Sequence, residues 1–204
     1  MNKINILLFV SLFFTIAIVS SCSSSSQLQN TWKNESYQKE GFKKILVFGM
    51  AGKEWKRKAY EYEFGTVLKK YNVEAVISLQ VLPKGEQLTV ETFEKYFEDQ
   101  NIDAVLVALE TGKSTKETVY GGGSSYVSAG FRGFYISTSP VYQVPSYLSE
   151  ETIIFMDIKL FETKEGKLVW SATSESYEPK STSDVIKFVS LIVVDDLYQE
   201  GFIK

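Results

Sequence analysis

Apolar and polar positions divide this chain into stretches of different period. Residues 4–19 (INILLFVSLFFTIAIV) form an apolar run broken only by Asn5, Ser11 and Thr15. Residues 23–30 are polar and serine-rich without apolar periodicity, the composition of a flexible spacer. The folded region starts at residues 43–50 (KKILVFGM), a short run of Ile, Leu, Val and Phe that predicts a buried strand ended at Gly49. Over residues 53–71 the period changes to that of a helix, with Tyr60, Phe64, Val67, Leu68 and Tyr71 on one side and Lys56, Arg57, Glu61 and Lys69 in other directions. Residues 73–79 (VEAVISL) predict a second strand, residues 89–100 a helix with Val90, Phe93 and Phe97 inward, and residues 103–110 (DAVLVALE) a third strand. That β-α-β-α-β order implies parallel pairing through right-handed crossovers.

The second half reads differently. Residues 152–163 and 167–177 are strand-like runs joined by Lys164, Glu165 and Gly166, the pattern of an antiparallel hairpin. Ser183 or Asp184 is expected to cap a last helix through Glu200, closed by Gly201 where a left-handed residue is wanted. The β-branched run Ile192, Val193, Val194 lowers the helix propensity of that segment. The expected fold class is α/β (α+β): one domain over residues 43–204 with a mixed sheet, β-α-β-α-β followed by a long arm, the hairpin and the C-terminal helix.

Composition narrows the chemistry. The chain has 204 residues, enough for one core and too few for two comfortable ones. Its formal charge of −3 becomes one unit more negative without residues 1–21, whose only charged side chain is Lys3. Such mild acidity argues against a nucleic-acid partner. With no histidine, the Ser-His-Asp and Cys-His arrangements and the usual zinc ligand sets are excluded, and one cysteine permits no internal disulfide. No cofactor and no metal are expected, and no catalytic residue is assigned.

That single cysteine, Cys22, follows a positive Lys3, the apolar run, and Val19, Ser20 and Ser21. The length fits a signal peptide better than a membrane-spanning helix. The arrangement resembles the lipobox of bacterial lipoproteins, with Val19 where leucine is commoner. The resemblance implies a signal peptide over residues 1–21, cleavage before Cys22 and acylation of Cys22, with residues 22–42 as lipidated cysteine and tether. Three acyl chains would hold the protein at a membrane almost permanently. By the same resemblance, Ser23 in place of an aspartate implies outer-membrane sorting; the periplasmic face is expected over the cell surface, and Ser23 does not decide between them.

Thr31-Trp32, FKKILVFGM, Arg57 and Glu61 in the following helix, Ser78, Pro83, IDAVLVALE and LFETKEGKLVWSATSE fall in an order that resembles a family of bacterial envelope lipoproteins. The folded region looks like the αβ domain shared by the TolB amino-terminal domain, the CsgG secretion lipoprotein and the lipoprotein activators of peptidoglycan synthases. The resemblance implies a noncatalytic role: binding another envelope protein, or self-assembly into a ring. It brings no catalytic residues.

GMAGKEW (residues 49–55) lies between a strand and a helix, but its glycine spacing is shorter than a nucleotide-binding loop requires and Glu54 stands where Ser or Thr would hold magnesium, so a plain turn is expected. Arg57 and Glu61 are expected to form a solvated helix pair contributing a few tenths of a kcal/mol. Asp195 with Asp196, and Glu61 with Glu63, are expected on exposed helix faces rather than in an acid/base or calcium site. Trp32 would dock the tether, and Trp170 belongs to the core.

Residues 118–149 carry one charge, Arg132, among many Tyr, Phe, Ser and Gly residues, within a low-charge segment spanning 111–150. A β-arm or loop packed on its own domain is the plain expectation. An interaction surface built from Tyr120, Tyr126, Phe131, Arg132, Phe134 and Tyr135 is the functional one. Membrane-inserted hairpins of an oligomeric channel are a third, opposed by imperfect alternation and by Pro140 and Pro145. The expected activity is therefore that of a lipid-anchored module binding an envelope protein or itself, with a channel or secretion subunit second and an enzyme third.

Overall fold

The computed structural model describes residues 26–37, 41–82, 90–114, 153–177 and 179–204. They form strands β1 (Ser26–Lys33), β2 (Lys44–Met50), β3 (Glu74–Ile77), β4 (Ala104–Ser114), β5 (Ile153–Glu162) and β6 (Leu168–Tyr177). The helices are α1 (Glu54–Lys70), the single turn α2 (Ser78–Val81), α3 (Val90–Gln100) and α4 (Thr182–Gln199). One six-stranded sheet has the order β1-β6-β5-β4-β2-β3. β2 is parallel to β3 and β4, as the alternating first half predicts, and the β4/β5, β5/β6 and β1/β6 pairs are antiparallel. This is the expected mixed α/β architecture.

Strict alternation sorts the central strands into two cores. Ile45 and Val47 of β2 and Ala104, Leu106 and Ala108 of β4 face Tyr60, Phe64 and Leu68 of α1 and Val189 and Val193 of α4. Leu46, Phe48 and Met50, with Val105, Val107 and Leu109, face Phe93 and Phe97 of α3. A strand buried on both faces needs an apolar residue at every position, which is why β2 and β4 read as unbroken runs. Phe48 and Phe93 meet edge to face at 5.1 Å between centroids.

Four boundaries differ from the sequence reading: Ser78 and Leu79, expected in the second strand, open α2, so that β3 ends at Ile77. Residues 26–33, expected within the tether, are edge strand β1, held by its ladder to β6 and by Ser26 Oγ against Ser176 Oγ at 2.7 Å. Polar residues suit such an edge, where one face and one row of backbone groups meet water. Residues 111–114, expected in the arm, extend β4 past a bulge between Glu110 and Gly112. The cap of α4 is Ser181: its Oγ accepts from Asp184 N at 3.1 Å, so the side chain reaches the orphan donor two positions earlier than expected. The β-branched run does form helix, because Val193 and Val194 are fully buried and packing outweighs propensity. Gly201, at φ 78°, ends it as expected. Among the described residues no helix is long and apolar enough to cross a membrane.

Candidate functional site

The chain leaves β2 for α1 on one face and enters β4 from α3 on the other, so its path along the sheet reverses between β2 and β4 while the strands stay parallel. In open α/β sheets ligands sit at the carboxyl ends of the strands at such a switch point. Two polar groupings occupy this edge.

The first is centred on Glu61, which has no solvent exposure. Its Oε1 accepts from Arg57 Nε at 2.8 Å, from Ser78 Oγ at 2.5 Å and from Gly49 N at 3.2 Å, and its Oε2 from Leu79 N at 2.8 Å. Arg57 also donates to Ser78 Oγ at 2.7 Å and lies 4.9 Å above the Phe48 ring. Gly49 permits the close approach: a Cβ there would stand 3.1 Å from the Arg57 carbonyl oxygen and 3.2 Å from Tyr60 Cβ. One carboxylate thus ties the end of β2, the first turns of α1 and the start of α2 together. Arg57 and Glu61 are therefore not the solvated helix pair expected from their spacing. Tyr60, Glu61, Phe64, Gly65, Val67 and Leu68 are all buried, so Glu61 belongs to the inward stripe of α1. That membership, at the i, i+3, i+4, i+7 spacing with Phe64, Gly65 and Leu68, is the signal the sequence carried.

The second grouping joins Lys56 Nζ to Glu110 Oε2 at 2.7 Å, with the Tyr60 hydroxyl donating to the same oxygen at 3.3 Å. Burial, and then the Glu110 charge, push the Tyr60 phenol far above its ordinary range, so it stays a neutral donor. Neither Ser78 nor Lys56 was marked from the sequence as part of a polar cluster, since their partners lie across the fold rather than along the chain.

Chemically, the edge is a pair of satisfied braces. Ser78 Oγ both donates to Glu61 and accepts from Arg57, and the Glu61 carboxylate that faces it is also held by Arg57, Gly49 N and Leu79 N. Among the described residues no three His, Cys, Asp or Glu side chains converge as a metal would require. The GMAGKEW segment is a strand-to-helix turn in which Lys53 caps α1 without a side-chain hydrogen bond.

The other singled-out residues scatter. Trp170 is core, and its indole N–H donates to Asp196 Oδ2 at 2.8 Å. Asp195 is on the exposed face of α4 as expected and accepts from the Tyr71 hydroxyl at 3.0 Å, whereas Asp196 is half-buried under Trp170. Trp32 stands on β1, more than a third exposed. Cys22, Tyr120, Tyr126, Phe131, Arg132, Phe134 and Tyr135 lie outside the described residues.

No protein-family model matches the sequence, and no curated protein does. Among solved structures the fold is similar to the PelC dodecamer from Paraburkholderia phytofirmans, at 13% identity and a TM-score of 0.48, over 85% of this chain and 97% of that one. It is also similar to the lipoprotein GNA1162 from Neisseria meningitidis (15% identity, TM-score 0.42, 76% and 98% of the two chains). A PDZ domain protein from Parabacteroides distasonis matches at 11% identity and a TM-score of 0.44, over 96% of this chain and 40% of that one.

Proposed function

We propose that this chain is a lipid-anchored cell-envelope protein, acylated at Cys22, acting without catalysis as a protein-binding or assembly module at the periplasmic face of the outer membrane. The observation that carries the reading is the order Lys3, apolar run, Val19-Ser20-Ser21-Cys22, with Cys22 four positions before the first residue of β1. Four Cα steps span at most about 14 Å, so an acyl group on Cys22 holds the sheet close against the lipid surface. The noncatalytic part is supported by the carboxyl edge, where Arg57, Glu61, Ser78, Lys56 and Glu110 are engaged with one another. The low-charge segment bearing Tyr126, Phe131 and Tyr135 supplies the partner surface in this reading.

The test is the mass of the protein extracted in mild detergent, together with its mass in solution by light scattering. The expected result is a chain beginning at Cys22 with acyl groups added, and a Cys22→Ala variant released from membranes. An unacylated chain, or a Cys22→Ala variant that stays in the membrane with residues 1–21 attached, would overturn the anchor. A ring of many copies would replace the binding module with the channel reading.

A further inference from the structure

At the amino ends of β2 and β4 the surface opens into a groove of about 990 Å³, bounded by the approach to β2, the last turns of α3 and the β5–β6 turn. This volume is in the range of sites that take a ligand or an extended segment. Its floor is apolar, with Phe42, Phe97, Ile102 and Phe161 all buried in the cores.

The rim is acidic. Glu94 and Glu98 stand one helical turn apart on α3, both exposed, and among the described residues neither carboxylate has an ion-pair or hydrogen-bond partner. Glu162 and Asp103 add carboxylates that point into the backbone: Glu162 accepts from Glu165 N and Lys167 N, and Asp103 from Lys43 N and Lys44 N at 2.8 Å each. Their negative charge remains in the groove although their lone pairs are used. Against these acids stand Lys43 and Lys164.

The groove also has a defined direction. Ser26 pairs with Ser176 near the far end of β6, so the chain leaves towards Cys22 at the end of the sheet opposite the β5–β6 turn. On the lipid-anchored reading, on which this direction rests, the groove faces away from the membrane.

We infer that this groove docks a cationic, extended segment of a partner protein, apolar side chains on the phenylalanine floor and alternate lysines or arginines against Glu94 and Glu98. An extended chain presents alternate residues to opposite sides, which matches a floor and a charged rim. The complementary charge sets the choice of partner and speeds encounter.

The test uses the full acylated protein in neutral-detergent micelles and a fluorescent peptide alternating lysine with valine, followed by anisotropy. Saturable binding that weakens with salt is expected, about tenfold weaker in Glu98→Lys and tighter in Lys164→Glu. Glu54→Lys, a reversal at the opposite end on α1, is expected to stay within about twofold of the parent. Absence of saturable binding, equal binding of a glutamate-valine peptide, or an equal loss in Glu54→Lys would each overturn the inference. The two readings fail separately: an unacylated mass removes the membrane-distal orientation, and the titration alone decides the groove.

Discussion

Glu61 shows how much one side chain can hold. Its carboxylate accepts four hydrogen bonds inside the fold, one from a guanidinium that is itself four-fifths covered. Removing one member of such a pair leaves the other desolvated and unmatched, so Glu61→Ala is expected to cost about 3–5 kcal/mol in urea unfolding. Glu61→Gln, which keeps acceptor and shape, is expected to cost less. Asp196 behaves in the opposite sense. Burial pushes its carboxyl above the usual aspartate range; the Trp170 N–H pulls it back, and Glu200 and Asp195 add like charge. The native state then holds a proton more tightly than the unfolded chain, so stability falls as pH rises from the ordinary aspartate range through the raised native value. Asp196→Asn, which still accepts from the indole, is expected to raise Tm at neutral pH. Calorimetry in acid, below the ordinary aspartate range, should show that gain gone.

Among the elements, β1 and α4 differ most in how they announce themselves. The strands of the two cores were legible because burial on both faces forces an apolar residue at each step, and the hairpin because Gly166, at φ 66°, marks its turn. β1 was not legible: an edge strand needs only a ladder on one side, and SQLQNTWK offers a single inward contact of note, Leu28. Its place is set by β6 and by Lys33, which reaches Glu200 at 2.8 Å beyond the last turn of α4, where no basic residue stands. Hydrogen exchange is the discriminating measurement. Amides of β1 that pair with β6 are expected to be protected, whereas a free spacer would exchange at once. For α4, Ser181→Ala should lower stability by about 1 kcal/mol in chemical denaturation, since the Asp184 N–H loses its acceptor.

At the scale of the molecule, the α/β class and its parallel-then-antiparallel order followed from the change of hydrophobic period alone. The polar braces did not, because Lys56 with Glu110 and Arg57 with Ser78 are joined between α1 and the carboxyl ends of the strands by contacts that no local spacing encodes. The pairing of β1 with β6 has a consequence for the order of assembly. Ser26 and Ser176, neighbours in the ladder, are separated by 150 positions in sequence. β1, made before β6, is therefore among the last of these strands to find its partner, since loop closure over that distance follows the short-range pairing of β5 with β6. Until the C-terminal hairpin has emerged, β1 stays an open edge, and a chain stopped short of β6 leaves it open for good.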